Sequence, residues 1–423
     1  MAITLEDKPY PMMAAFNSCY YRMKSTNSTQ PGFYYKMRVI MNGFEIAVIR
    51  EFSYTPPNGE DGYFDASVVT SLLTNYKLEA TRRGQMSTFW KIMPNAFVQV
   101  QFAEAWVNSP PPVYAISHTF QVWGAAKDTD ELYQVYKDFR YIWQGVGNGT
   151  PQGVDNSQVQ NLTDEKVYET TSSYYCLYNY NGGNFKGIKI DVFALDGTFI
   201  STSTIYNPYF NSTDASKAFT VCDVGMWSLR DAIPDTGTYP ILPLTGTDFY
   251  YTLSFVWQSD KEYARPIKKF IPSCSPVYPV YPIYYKSRLG AWETAIFKGN
   301  SIVSNQVTKD KYGSFVRTPE NELFTLGEIY NPMYSTSLER VRNIRVEKIL
   351  DLNTEWIDEA TVEKYRDIIS SPQVYTGVNY GFNNKLIEVR PDANTFILNK
   401  RYNKKKYQLS MRFRYSNIEN RQA

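Results

Sequence analysis

The first clear alternation of apolar and polar residues runs from Phe33 to Ile49. Phe33, Tyr35, Met37 and Val39 interleave with Tyr34, Lys36 and Arg38, the two-residue period of a half-buried strand. Asn42-Gly43 follows, a dipeptide suited to a type I′ hairpin turn, and beyond it Phe44, Ile46 and Val48 resume the alternation. The pattern next predicts a short amphipathic helix, with Asp65 as N-cap before Val68, Val69, Leu72, Leu73 and Tyr76. A strand near Ala96 then puts Val98, Val100 and Phe102 on one face and Gln99 and Gln101 on the other.

The same order returns later. From Phe185, the residues Ile188, Ile190, Val192 and Ala194 alternate with Lys189, Asp191 and Phe193, and Asp196-Gly197 marks a second hairpin turn before a strand containing Phe199. A segment with Asp223, Trp227 and Leu229 stands where the first copy has its helix, and 249–257 supplies a closing strand. Hairpin, short helical segment and closing strand in the same order predict a duplicated unit.

Between the copies, Leu132, Val135, Tyr136, Phe139, Ile142 and Trp143 mark one face of a helix over 129–144 that Gly145 ends. Residues 145–173 are rich in Gly, Asn, Gln, Ser and Thr and read as a long linker. Pro266, Pro272, Pro276, Pro279 and Pro282 predict an extended connector over 266–285, because proline lacks the N–H that a central strand position needs. In the last region Trp356, Ile357, Ala360, Tyr365, Ile368 and Ile369 predict a helix stopped at Ser370-Ser371-Pro372. Residues 385–390 and 406–415 read as strands, the latter with Tyr407, Leu409, Met411, Phe413 and Tyr415 on one face.

The expected fold class is therefore mainly β, with sandwich-like repeated domains, a few short helices and an α+β C-terminal region. The expected divisions are a first β domain at 1–128, a helix plus polar linker at 129–172, a second β domain at 173–265, a connector at 266–285 and a C-terminal domain at 286–423. A length of 423 residues accommodates several cores, and an aromatic content of 16% agrees with strands.

Charge and residue chemistry narrow the function. The net charge of +2 provides no field that would steer the chain to nucleic acid or an anionic membrane, so neither partner is expected. One histidine, His118, cannot build a site that needs two or three imidazoles, and its strand setting predicts a structural role. Cys19, Cys176, Cys222 and Cys274 show no metal-ligand spacing and read as buried free thiols. The N-terminal residues carry charge where a secretory signal needs an apolar run, and no stretch reaches the roughly 20 apolar residues that span a bilayer.

No motif indicates chemistry. Gly145-Val146-Gly147-Asn148-Gly149 follows a predicted helix, whereas a phosphate loop precedes one. Lys400-Arg401-Tyr402-Asn403-Lys404-Lys405-Lys406 reads as a solvated turn between strands. The tyrosines Tyr174, Tyr175, Tyr178 and Tyr180 are candidates for contact surface. No catalytic, cofactor-binding or metal-binding residue is expected, and no cofactor.

Several stretches in this order carry a resemblance. They are Asn27-Ser28-Thr29-Gln30-Pro31-Gly32-Phe33-Tyr34-Tyr35, the Asn-Gly hairpin, Gly62-Tyr63-Phe64-Asp65, Arg288-Leu289-Gly290-Ala291-Trp292-Glu293-Thr294, the segment from Trp356 to Tyr375, and the final amphipathic strand. Together they resemble virion structural proteins of tailed bacteriophages, especially those infecting Bacteroidota. The resemblance implies a non-enzymatic component of the tail, baseplate or portal-proximal neck. On that basis it forms an oligomeric ring or collar with other virion proteins and is assembled in the bacterial host cytoplasm. The alternative is a carbohydrate-binding host-adhesion module that holds a surface glycan, with a glycan-cleaving enzyme third.

Overall fold

A computed structural model describes residues 3–8, 12–14, 19–41, 43–52, 61–66, 78, 85, 87, 89–92, 95–123, 164–169, 171–178, 185–210, 217, 219–233, 241–243, 248–257, 268–272, 278–286, 292–313, 339–380, 383–392, 397–401, 406–416 and 419–422. Across them the chain is mostly β, arranged in several largely antiparallel sheets, with two α-helices among the described residues.

The first strands are β1 (Ile3–Asp7), β2 (Met12–Ala14), β3 (Tyr20–Ser25), β4 (Tyr34–Met41), β5 (Phe44–Phe52), β6 (Asp61–Asp65), β7 (Trp90–Ile92), β8 (Asn95–Ala105) and β9 (Ile116–Trp123). Next come β10 (Asp164–Val167), β11 (Tyr174–Tyr178), β12 (Phe185–Ala194), β13 (Phe199–Tyr206), β14 (Phe219–Asp223), α1 (Met226–Leu229), β15 (Phe249–Trp257) and β16 (Lys268–Pro272).

These elements build one architecture twice. A five-stranded sheet in the order β2-β9-β8-β4-β5 is matched by β10-β16-β15-β12-β13. In each, the first pair is parallel, the rest are antiparallel, and the last two strands form the edge hairpin that contains Gly43 or Gly197. Both glycines have positive φ, +86° and +91°, the conformation that favours glycine at a tight turn. The loops differ by one residue: Met41 pairs with Phe44 across two residues, whereas Ala194 N donates to Thr198 O across three.

A smaller sheet lies against each five-stranded one, β1-β3-β6 in the first unit and β11-β14-β7 in the second. Tyr20 pairs with Asp65 and Tyr174 with Asp223, in the same antiparallel register. Tyr21, Met23 and Phe64 from the small sheet share one core with Tyr35, Met37, Val39, Val100 and Phe102 from the large sheet, a sandwich-like packing. Gly62 is required there, since the ring of buried Tyr35 occupies the space a Cβ would need.

The two units are linked by β7. It lies in the first unit's sequence but pairs with β14, Trp90 opposite Cys222, and Asp223 N donates to Phe89 O at 3.0 Å. Phe89 and Trp90 are buried in the second unit's core.

The C-terminal strands are β17 (Tyr281–Lys286), β18 (Trp292–Phe297), β19 (Ile302–Gly313), β20 (Glu339–Asn353), β21 (Val374–Tyr380), β22 (Asn383–Pro391), β23 (Ile397–Arg401), β24 (Lys406–Tyr415) and β25 (Glu419–Gln422), with α2 (Glu359–Ser370) before β21. They form a nine-stranded sheet, order β18-β17-β21-β22-β24-β20-β19, with β23 on β24 and β25 on β20. Asp358 caps α2 by accepting from Thr361 N at 2.8 Å, and Tyr365 and Ile368 seat the helix on the sheet core.

Several expectations change here. The segment 266–285 is not a bare connector, because β16 is an inner strand of the second five-stranded sheet and β17 is an inner strand of the nine-stranded one. The prolines are tolerated because Pro272 ends β16 and Pro282 precedes the ladder to β21, which starts at Ile283. The linker read at 145–173 contains β10 and the buried residues Thr171, Ser172 and Ser173, so the second unit begins before 173. Trp356 and Ile357 precede α2, and Ile357 instead bridges to Tyr407. The helix expected at 129–144, the Gly145–Gly149 run and the helix after Asp65 lie outside the described residues.

Candidate assembly surface

The edge strands present apolar side chains to solvent. In β5, the pairing of Val39 with Ala47 and of Ile40 with Glu45 leaves Ile46 as an extra, bulged residue. One inserted residue reverses the inward and outward parity. Beyond the bulge Ala47 and Ile49 face the core while Ile46 (41% exposed) and Val48 face solvent, and Phe44, beside the turn, is 74% exposed.

β13 repeats the device at the corresponding residue. Val192 pairs with Ser201 and Phe193 with Phe199, so Ile200 is bulged and 47% exposed, 154 residues after Ile46. The two edges differ in charge. β5 contains Glu45, Arg50 and Glu51, and Glu45 pairs with Arg38 at 3.5 Å, whereas β13 has no charged residue and exposes Phe199, Ile200 and Tyr206. Natural edge strands are usually blunted by charge, so β13 has the composition of a surface that something covers.

A third edge strand, β19, pairs along twelve residues with β20 and exposes Ile302, Val303 and Val307. Its neighbourhood is tied to the sheet by Arg412 to Asp351 at 2.6 Å and Arg414 to Glu347 at 3.2 Å.

Several buried and half-buried carboxylates are held by hydrogen bonds within the fold. Asp223, fully buried, accepts from Ser173 N and Gly225 N, both at 3.0 Å, and from Ser228 Oγ at 2.5 Å. Asp65 accepts from Cys19 N at 2.9 Å, the same bond in the first unit. Ser25 and Asn27 both donate to Glu104. Cys19 and Cys222 are buried free thiols whose pKa is pushed up by burial, which keeps them protonated. No cluster of three or more His, Cys, Asp or Glu that would hold a metal occurs among the described residues. No helix among them is long and apolar enough to cross a membrane.

His118 lies on β9, with Nδ1 3.0 Å from the Tyr21 hydroxyl and its ring stacked on Phe120 at 5.8 Å. Burial, with a smaller contribution from the Lys8 charge, lowers its pKa from 6.5 to about 4. A base whose folded pKa is depressed stabilises the fold when neutral, so stability is present above pH 6.5 and declines as pH falls through 6.5 toward 4. His118 is half-buried, and the expected loss after screening is about 1 kcal/mol. The equivalent position in the second unit, read through the pairing of Val100 with His118 and of Tyr251 with its partner, is Phe270. His118→Phe is therefore expected to retain the fold and flatten the urea-midpoint profile between pH 6.5 and 4. An unchanged slope would refute this assignment.

Of the tyrosines singled out, Tyr174 is buried and meets Tyr284 of β17 at 5.5 Å between ring centroids, so its contact is internal. The side chains of Tyr175, Tyr178 and Tyr180 lie outside the described residues. The basic run falls at the β23–β24 hairpin, where Arg401 pairs with Lys406.

One signal passed unread in the sequence: Ser18-Cys19-Tyr20-Tyr21 and Ser172-Ser173-Tyr174-Tyr175 share a pattern at the same 154-residue spacing as Gly43 and Gly197. No protein-family model matches the chain, and no curated protein matches it.

Proposed function

We propose that this chain is a non-enzymatic structural subunit of a tailed-bacteriophage virion, built into an oligomeric ring or collar of the tail, baseplate or neck. The observation that carries assembly is the uncharged, solvent-exposed edge β13, which exposes Phe199, Ile200 and Tyr206 and has no strand on its outer side among the described residues, an arrangement that suits strand addition from a neighbour. The resemblance of its ordered stretches to phage virion proteins is the reason for proposing the particle as its setting.

Native mass spectrometry of the purified chain over a concentration series tests this reading, with discrete higher oligomers as the expected result. Ile46→Lys and Ile200→Lys together should weaken association at least tenfold with little change in melting temperature, because both side chains already face solvent. A chain that stays monomeric at high concentration and in the presence of neighbouring virion proteins overturns the proposal.

A further inference from the structure

The duplication allows the surroundings of one unit to be compared with those of the other. In the second unit, the small sheet is covered on two sides by elements from outside that unit's own sandwich. Its β14 edge takes β7 from the first unit, and its outer face takes Tyr284 over Tyr174. Ser172 N donates to the Tyr284 hydroxyl at 3.2 Å, and Thr294 Oγ1 donates to Ser172 O at 3.1 Å. In consequence Tyr174 and Val221 are buried, at 7% and 1% exposure.

The corresponding residues of the first unit are Tyr20 and Tyr63, in the same register. They are 58% and 45% exposed. Among the described residues, β6 pairs with β3 and with no strand on its other side, where β14 has β7.

We propose that the outer face of the β3–β6 pair in the first unit, where Tyr20 and Tyr63 are exposed, together with the edge of β6 that has no strand beside it among the described residues, seats the second unit of a neighbouring copy through that copy's β13. The inference rests on the ring-forming function proposed above and names its contact. Three observations select the pair. The acceptor is the position at which the chain itself adds a strand in its other unit. The donor is the edge without charge, whereas its equivalent β5 carries Glu45, Arg50 and Glu51. Exposed Tyr20 and Tyr63 supply the large, low-entropy contact area that Tyr174 gives to Tyr284 inside the chain. A contact between two different surfaces is heterologous, and such contacts close into rings when the rotation permits.

The polarity of this contact can be tested by mixing. Tyr63→Glu disables the acceptor and leaves the donor, while Ile200→Lys does the reverse. Each variant alone is expected to be monomeric by native mass spectrometry at concentrations where the wild type forms rings. Their equimolar mixture is expected to give one-to-one dimers and no larger species, since each pair retains a single intact contact. Melting curves within about 2 °C of wild type establish that both variants fold, as expected for half-exposed positions, and Val113→Glu at another exposed site should leave the rings unchanged. Rings that persist with Tyr63→Glu overturn this contact and leave the assembly function standing. Two monomeric variants that do not dimerise on mixing also overturn it, and a wild type that never associates overturns the assembly function itself.

Discussion

Asp223→Ala is expected to lower the unfolding free energy by about 3–5 kcal/mol, far more than Asp65→Ala at the equivalent place. The carboxylate is fully buried and holds Ser173 N, Gly225 N and Ser228 Oγ, tying the start of β11 to the turn after β14. Alanine leaves three buried donors in a site closed by backbone: a Cβ on Gly225 would collide with Ser172 and Ser173, so the chain has little room to rearrange. Asp65 is half-buried, and water can replace part of what is lost there, so about 1–2 kcal/mol is expected. Urea unfolding of the two variants makes the comparison, and equal losses would show that burial of Asp223 is not what gives it weight.

Duplication was legible in the order of the elements, and the register shows why it was not more legible in residues. The Tyr20-Tyr21 and Tyr174-Tyr175 pairs are the clearest match, yet a two-residue identity 154 residues away does not register as periodicity. Alternation located β4, β12 and β24 correctly, because the buried faces of β4 and β24 keep the two-residue period and that of β12 keeps it from Ile188 to Val192. It located β5 as a strand and left its buried face unread, because a bulge changes parity by inserting one residue and leaves no composition signal. Proline spacing misled at 266–285 for a different reason: composition counts prolines, whereas pairing depends on which side of the strand lacks the N–H.

The candidate surface was less visible still. Exposure of Ile46 and Ile200 follows from the bulge, and exposure of Tyr20 and Tyr63 follows from what covers their counterparts. Neither property belongs to a local stretch of sequence. Tyr174, which composition nominated as surface, is buried by Tyr284 from more than a hundred residues away.

Trp90→Ala is the other large effect expected, about 3–5 kcal/mol for emptying a buried aromatic site. Its location distinguishes two views of the fold. By sequence position Trp90 belongs to the first unit, lying between β6 and β8. By packing it belongs to the second, with Phe89, Cys222, Ile190 and Leu253 as companions in one core and Cys222 directly across the ladder. Packing sets the free energy of local opening, so the loss should appear where the side chain is buried. Amide hydrogen exchange of the Trp90→Ala variant is therefore expected to speed up in β11 and β14 while β4 and β8 retain their protection. Phe102→Ala, in the first unit's core, should give the opposite pattern. If Trp90→Ala instead loosens β4 and β8, then β7 is an ordinary part of the first unit and the strand that joins the two has been assigned to the wrong core.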